Sequence, residues 1–193
     1  KYRSVIIWLF ILILSMSLSL SWDVGKLDDV FNQTILFQVR LPRLLEAMLT
    51  GAVLTLAGQV YQIVLNNPLA DSFTLGLASG ASLGSGIALF LGLSFLWFPI
   101  FSIIFSLITL LLVLSVSAML AKGYPVQMLI LTGLLLGALL NALLYLLVLI
   151  NPKKMNPIAS YLFGGFASAE YQDVMIISLI ASVAIIVLFL MQK

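Results

Sequence analysis

Six apolar runs, at residues 5–21, 44–65, 73–91, 99–121, 126–150 and 174–191, fill most of this sequence. A helix needs roughly 20 residues to cross a hydrocarbon core about 30 Å thick, and each run comes close to that length. Glu46 is the one charged residue inside any of them. With 63% hydrophobic and 8% charged residues against about 25% charged in an ordinary soluble domain, the charges cannot coat a water-soluble globule. The expected fold class is all-α, a polytopic transmembrane helix bundle of about six helices forming one membrane domain over residues 1–193. The connecting loops are expected at 22–43, 66–71, 122–125 and 151–173.

The first run follows Lys1 and Arg3 and so resembles a secretory signal. Five further runs follow it and Ser17-Leu18-Ser19 is a poor cleavage site, so a retained helix is expected. With the N-terminus inside, Lys1, Arg3, Lys122 and Lys193 face inward while Lys26, Arg40, Arg43, Lys153 and Lys154 face outward. The positive-inside rule does not choose an orientation from that near-tie, and the outward excess needs a reason.

The sequence contains neither Cys nor His, which removes thiolate and imidazole metal sites and the commonest general base. No metal site, catalytic residue or cofactor is expected. A net charge of +2 from scattered cations makes no face for nucleic acid. Gly80-Ala81-Ser82-Leu83-Gly84 spells the pattern of a serine nucleophile on a strained turn, yet no base accompanies it, because every lysine lies in a loop or at a terminus. A Gly-rich phosphate loop with its Lys is also missing, so the chain is not expected to hydrolyse ATP itself.

Thr55, Gln59, Gln62 and Asn66 recur at spacings of four, three and four, which puts them on one helical face. Amides in hydrocarbon need partners, so this face meets another helix or a water-filled path. Gly76, Gly80 and Gly84 form a small-residue ridge, and Gly133, Gly137 and Asn141 form a second. The Asn66-Asn67-Pro68 stretch should end one helix, since Pro68 disfavours helix at the residue before it, and Asp71 or Ser72 should cap the next. These features alone permit a passive channel or scaffold as well as a transporter, and the Ser82 pattern leaves an intramembrane hydrolase as a further alternative.

The run Arg40-Leu41-Pro42-Arg43, then Gly51-Ala52, Leu56-Ala57-Gly58, Gln62, Asn67-Pro68-Leu69-Ala70-Asp71, Leu75-Gly76 and Ser79-Gly80-Ala81 resembles the FecCD-type family. Leu131-Thr132-Gly133 to Asn141 and Tyr161-Leu162-Phe163-Gly164-Gly165 continue the likeness. The family comprises permeases of type II ABC importers for iron chelates, haem and cobalamin.

The resemblance implies a multi-pass protein of the prokaryotic cytoplasmic (inner) membrane. It implies a metal-chelate cargo such as a ferric siderophore, and alternating access between two permease copies. Cytoplasmic ATPase subunits and an extracytoplasmic solute-binding protein are the implied partners. Members have about ten helices in two halves, so the chain is expected to hold the N-terminal half, lacking the second half and the coupling loop; Lys1 in place of an initiator Met points the same way. By the likeness, Arg40 and Arg43 dock the binding protein, with anchoring to lipid phosphates as the alternative. Gln59, Gln62, Asn66, Gly133, Gly137 and Asn141 line the translocation path, Val126 and Gln127 form a cytoplasmic gate, and Asn67, Pro68 and Asp71 mark the helix break. Val126 departs from the small polar residues usual at the gate of the cobalamin importer.

Overall fold

The computed structural model of the chain describes residues 2–21, 30–120 and 125–191. Helices α1 (Tyr2–Ser21), α2 (Val30–Thr34), α3 (Leu41–Val64), α4 (Leu77–Phe90), α5 (Trp97–Leu120), α6 (Pro125–Ile150), α7 (Met155–Phe163) and α8 (Tyr171–Met191) follow in order. A π-helical stretch, Ile35–Arg40, joins α2 to α3. Among the described residues, five helical segments are long and apolar enough to cross a membrane: Arg3–Ser21, Val30–Val64, Trp97–Leu120, Pro125–Ile150 and Tyr171–Leu190. The orientation lysines Lys1, Lys26, Lys122 and Lys193, and the ends of the expected loops at 22–29 and 122–124, lie outside the described residues.

Three expectations about element boundaries are corrected. The run at 73–91 is not a full span, because α4 has 14 residues and so is about 21 Å long. Its first residues are held in turns by the Asp71 side chain, which offers the backbone an alternative to helix. The 22–43 loop is helical from Val30 onward, and Arg40 and Arg43 lie inside a continuous 35-residue helical segment. Their charge is tolerated there because neighbouring carbonyls receive their N–H groups. The 151–173 loop contains a 3-10 turn, Pro152–Lys154, and the short helix α7.

The chain forms two compact units. One comprises residues 1–55 and 165–193, and in it α1, the π-helical stretch, the first half of α3 and α8 are covered by few buried side chains; Pro42, Ala169 and Ala181 are the buried ones among the described residues. Such bare apolar helices match a lipid environment, where tails are as apolar as Leu.

The other unit, residues 56–164, holds the densest packing. Here α4 is wedged between α5 and α6. Gly80 abuts Phe105 O and Thr109 on α5, and Gly84 abuts Phe101 O and Phe105. The spacing of Gly80, Ser82 and Gly84 is thus used for helix contact, and the Ser82 carbonyl accepts from Ser85 Oγ at 3.1 Å. Leu83, Leu144 and Ile158 make the core where α4, α6 and α7 meet. Phe95, Phe98 and Tyr161 stack edge-to-face beside it, with burial pushing the Tyr161 hydroxyl above its usual pKa. Lys154 Nζ donates to Leu89 O at the end of α4, where the helix dipole favours a cation.

Candidate functional site

The break between α3 and α4 is a hydrogen-bonded knot. The helix ends at Val64, and Asn66 takes a left-handed conformation, φ 46°, donating its N–H to Ile63 O at 3.2 Å. Asn tolerates that region better than other side chains, and Pro68 forbids simple continuation. Asn67 Oδ1 accepts from Leu69 N at 2.9 Å, and Asp71 Oδ1 accepts from Phe73 N at 2.9 Å and Thr74 N at 2.7 Å. The interruption expected at Asn67, Pro68 and Asp71 is present.

Two details of that expectation are corrected. Asp71 and Ser72 do not cap α4: its N-cap is Gly76, in the left-handed region at φ 69°, and the Asp71 carboxylate closes the preceding turn instead. Asn66 does not extend the polar helical face, because it lies beyond the helix end. The stripe is Thr55, Gln59 and Gln62, all exposed on α3, with Thr55 Oγ1 donating to Gly51 O.

Gly133 and Gly137 are buried, and they face α4 and the turn before it. A Cβ on Gly133 would run into Thr74 O and stand 2.8 Å from Leu75 Cα. One on Gly137 would stand 3.2 Å from Ser79 Oγ. One turn further on, Asn141 Nδ2 donates to Ser79 Oγ at 3.2 Å. The spacing of four identified this face, but not that α4 would cover it.

Val126 and Gln127 occupy the first turn of α6, where Pro125 needs no N–H partner. Val126 borders an apolar groove of about 250 Å³ lined by Leu114, Ser117 and Ala118 of α5 and Pro125 and Leu129 of α6. Gln127 is exposed.

Arg40 Nη1 lies 3.4 Å from Ser19 O and 3.5 Å from Leu20 O, at the end of α1 where carbonyls lack helical partners. Arg43 Nη2 donates to Ala167 O, while Arg43 Nε and Glu46 Oε2 are buried without a partner. Both guanidinium groups therefore also serve as internal ties, a role that the motif did not disclose. Among the described residues, no group of three or more His, Cys, Asp and Glu could hold a metal ion.

Residues 3–193 match the FecCD transport family. The chain belongs to it. It is 36% identical over 149 residues to the molybdate import system permease protein MolB of Haemophilus influenzae, covering 76% of this chain and 44% of that protein. It is 30% identical over 179 residues to the vitamin B12 import system permease protein BtuC of Pectobacterium atrosepticum, covering 88% and 53%. A solved inward-facing structure of a transporter assigned to the metal-chelate ABC type superposes with a TM-score of 0.73 and 32% identity, covering 91% of this chain and 57% of that one. The chain spans about half the length of the curated relatives it matches. A member of this family, with five apolar spans among the described residues, is a multi-pass protein of the cytoplasmic membrane.

Proposed function

We propose that this chain is part of the permease of an ABC importer that moves a metal chelate across the cytoplasmic membrane by alternating access. Two permease copies would rock about a central path, powered by separate ATPase subunits and loaded by an extracytoplasmic solute-binding protein. The observation that carries this reading is the likeness, at a TM-score of 0.73 over 91% of the chain, to a transporter assigned to the metal-chelate type.

The side chains support a chelate cargo. Between Glu46 and Asp71 the chain has no charged residue, and the exposed Thr55, Gln59 and Gln62 offer weak polar contacts only. A lining of that kind lets a bulky ferric siderophore, haem or cobalamin slide without trapping it, whereas a bare metal ion would need ligands. MolB, by its name, imports molybdate, so an oxyanion is the specific alternative. Gly133, Gly137 and Asn141 enter the proposal as the seam that backs the path, Val126 and Gln127 as its cytoplasmic gate, and Asn66 as the end of the lining helix. ATP-dependent uptake separates an importer from a passive channel or scaffold, which would move solute without nucleotide.

Arg40 and Arg43 are proposed to dock the binding protein through the positive charge of their guanidinium groups. Replacing both with Gln removes the charge but keeps a side-chain N–H₂ donor for the carbonyls. In the full-length transporter, the double variant is expected to bind its solute-binding protein less tightly and to lose salt dependence, since exposed charge pairs are screened over about 8 Å at physiological ionic strength. Unchanged affinity and salt dependence would leave the arginines as internal ties or phosphate anchors.

A further inference from the structure

The π-helical stretch Ile35–Arg40 ends two residues before Pro42. In an α-helix the Pro42 ring would strike the carbonyl four residues earlier, and a wider π-turn is one way for a helix to admit it. The widening has a cost that can be located at one atom.

Leu41 N–H donates to Leu36 O, five residues back, completing the last π-type bond. That donation removes the ordinary α-helical partner of Phe37 O, which would be Leu41 N–H. The π-type partner of Phe37 O would be the N–H of residue 42, and Pro42 has none. Phe37 O is thus the carbonyl that both helical schemes leave without a backbone donor. The structure supplies one from far along the chain, because the Tyr171 hydroxyl, at the first residue of α8, donates to Phe37 O. Phe37, Pro42 and Tyr171 all belong to the same compact unit.

We propose that Tyr171 is a positioning residue that replaces the backbone donor missing at Pro42, so that the π-turn and the start of α8 form one hydrogen-bonded element. The turn sets the helical facing of the segment carrying Arg40, and the same contact fixes where α8 begins. The bond from Arg43 to Ala167 O ties the segment just before α8 to the same helix, so the two bonds hold residues 167–171 at two points.

The hypothesis separates from a general packing role for the tyrosine through Pro42 itself. In Pro42→Ala the new N–H gives Phe37 O a backbone donor whichever way the helix settles. If the turn remains π, the alanine N–H introduced at that position donates to it; if it relaxes to α, Leu41 does. Either way the Tyr171 hydroxyl becomes surplus.

The experiment is a double-mutant cycle of Tyr171→Phe and Pro42→Ala in the full-length protein, read by reversible unfolding in mixed micelles. With Pro42 present, Tyr171→Phe is expected to lower the folded-to-unfolded ratio about 3- to 10-fold, the range of one hydrogen bond in or near a membrane. In the Pro42→Ala background the same change should cost less than about 2-fold, a coupling that independent sites do not show. A second readout uses an isotope-labelled Phe37 carbonyl, whose infrared band should shift upward on Tyr171→Phe with Pro42 and stay in place in the Pro42→Ala background. Equal losses in both backgrounds, or a Phe37 band that ignores Tyr171→Phe, would overturn the assignment. Neither readout depends on what the protein transports.

Discussion

Replacing Gly133 with Ala adds one methyl group to α6, and the structure says where that group must go. It would overlap Thr74 O and stand 2.8 Å from Leu75 Cα and 3.0 Å from Leu75 C. Comfortable carbon contacts lie near 3.5–4.0 Å, so the shortfall is about half an ångström or more. Every obstructing atom is backbone, and no rotamer change relieves it. The turn cannot retreat easily either, because Asp71 Oδ1 holds Phe73 N and Thr74 N. Overpacking against a fixed obstacle costs about 3 kcal/mol at the upper end, and the better helix propensity of Ala returns up to about 1 kcal/mol. The net loss is about 2 kcal/mol, roughly a 30-fold fall in the folded-to-unfolded ratio. Gly51→Ala is the matched control: a Cβ there meets nothing within 4 Å, so only the propensity gain of about 0.5–1 kcal/mol remains. Reversible unfolding of the full-length protein in mixed micelles measures both. The two variants should differ in sign, and a Gly133→Ala protein as stable as Gly51→Ala would refute the close approach of α6 to the turn before α4.

Asn141→Ala should cost about 0.6–1 kcal/mol by removing its bond to Ser79 Oγ, and Ser79→Ala should add little more in the double variant; full additivity in the same assay would show that the pair does not interact. Asp71→Ala removes the one oxygen that accepts from two backbone N–H groups and should lower stability by about 1–2 kcal/mol, with Asp71→Asn milder because it keeps a carbonyl oxygen; a thermal-shift series that ranks Asn below Ala would contradict the turn-closing role. Cysteines placed at Gln59 and Gln62 should react with water-soluble thiol reagents, since amides facing lipid would stand unpaired; labelling by lipid-soluble reagents alone would remove α3 from the path.

How far the sequence discloses the fold depends on which interactions decide each segment. The runs at 99–121 and 126–150 correspond to α5 and α6 within two residues at each end, because nothing in them competes with helix and a proline starts the second. The run at 73–91 is just as apolar but yields 14 helical residues. There a single carboxylate captures two N–H groups and outweighs hydropathy. Arg40 and Arg43 read as loop residues by charge, yet they sit in helix because carbonyls of α1 and of residue 167 receive them, and those acceptors are distant in sequence. The Tyr171 hydroxyl bonds a carbonyl 134 positions earlier, which no local pattern reports. Among the candidate site residues, the helical spacing of Gly133, Gly137 and Asn141 was legible, whereas the identity of the covering element was not.

That covering element explains why the break and the glycine ridges belong to one device. At about 21 Å, α4 is too short to span the hydrocarbon by itself, so its depth is set by what it touches. On one side Gly80 and Gly84 bring it onto the backbone of α5, and on the other Gly76 and Ser79 meet Gly133, Gly137 and Asn141 of α6. The knot from Asn66 to Thr74 is pressed against Gly133, so the same glycine that admits the turn also fixes its height along α6. Gly76 then redirects the chain through a left-handed residue, a conformation that costs most side chains roughly 1 kcal/mol or more, and a Cβ there would stand 2.8 Å from Gly133 O. Gly76, Gly80, Gly84 and Gly133 are therefore each constrained by a backbone atom of another segment, and Gly137 by the Ser79 hydroxyl. A substitution at any of the first four pushes α4 away from a backbone obstacle, and one at Gly137 presses directly on the Ser79 hydroxyl that Asn141 requires.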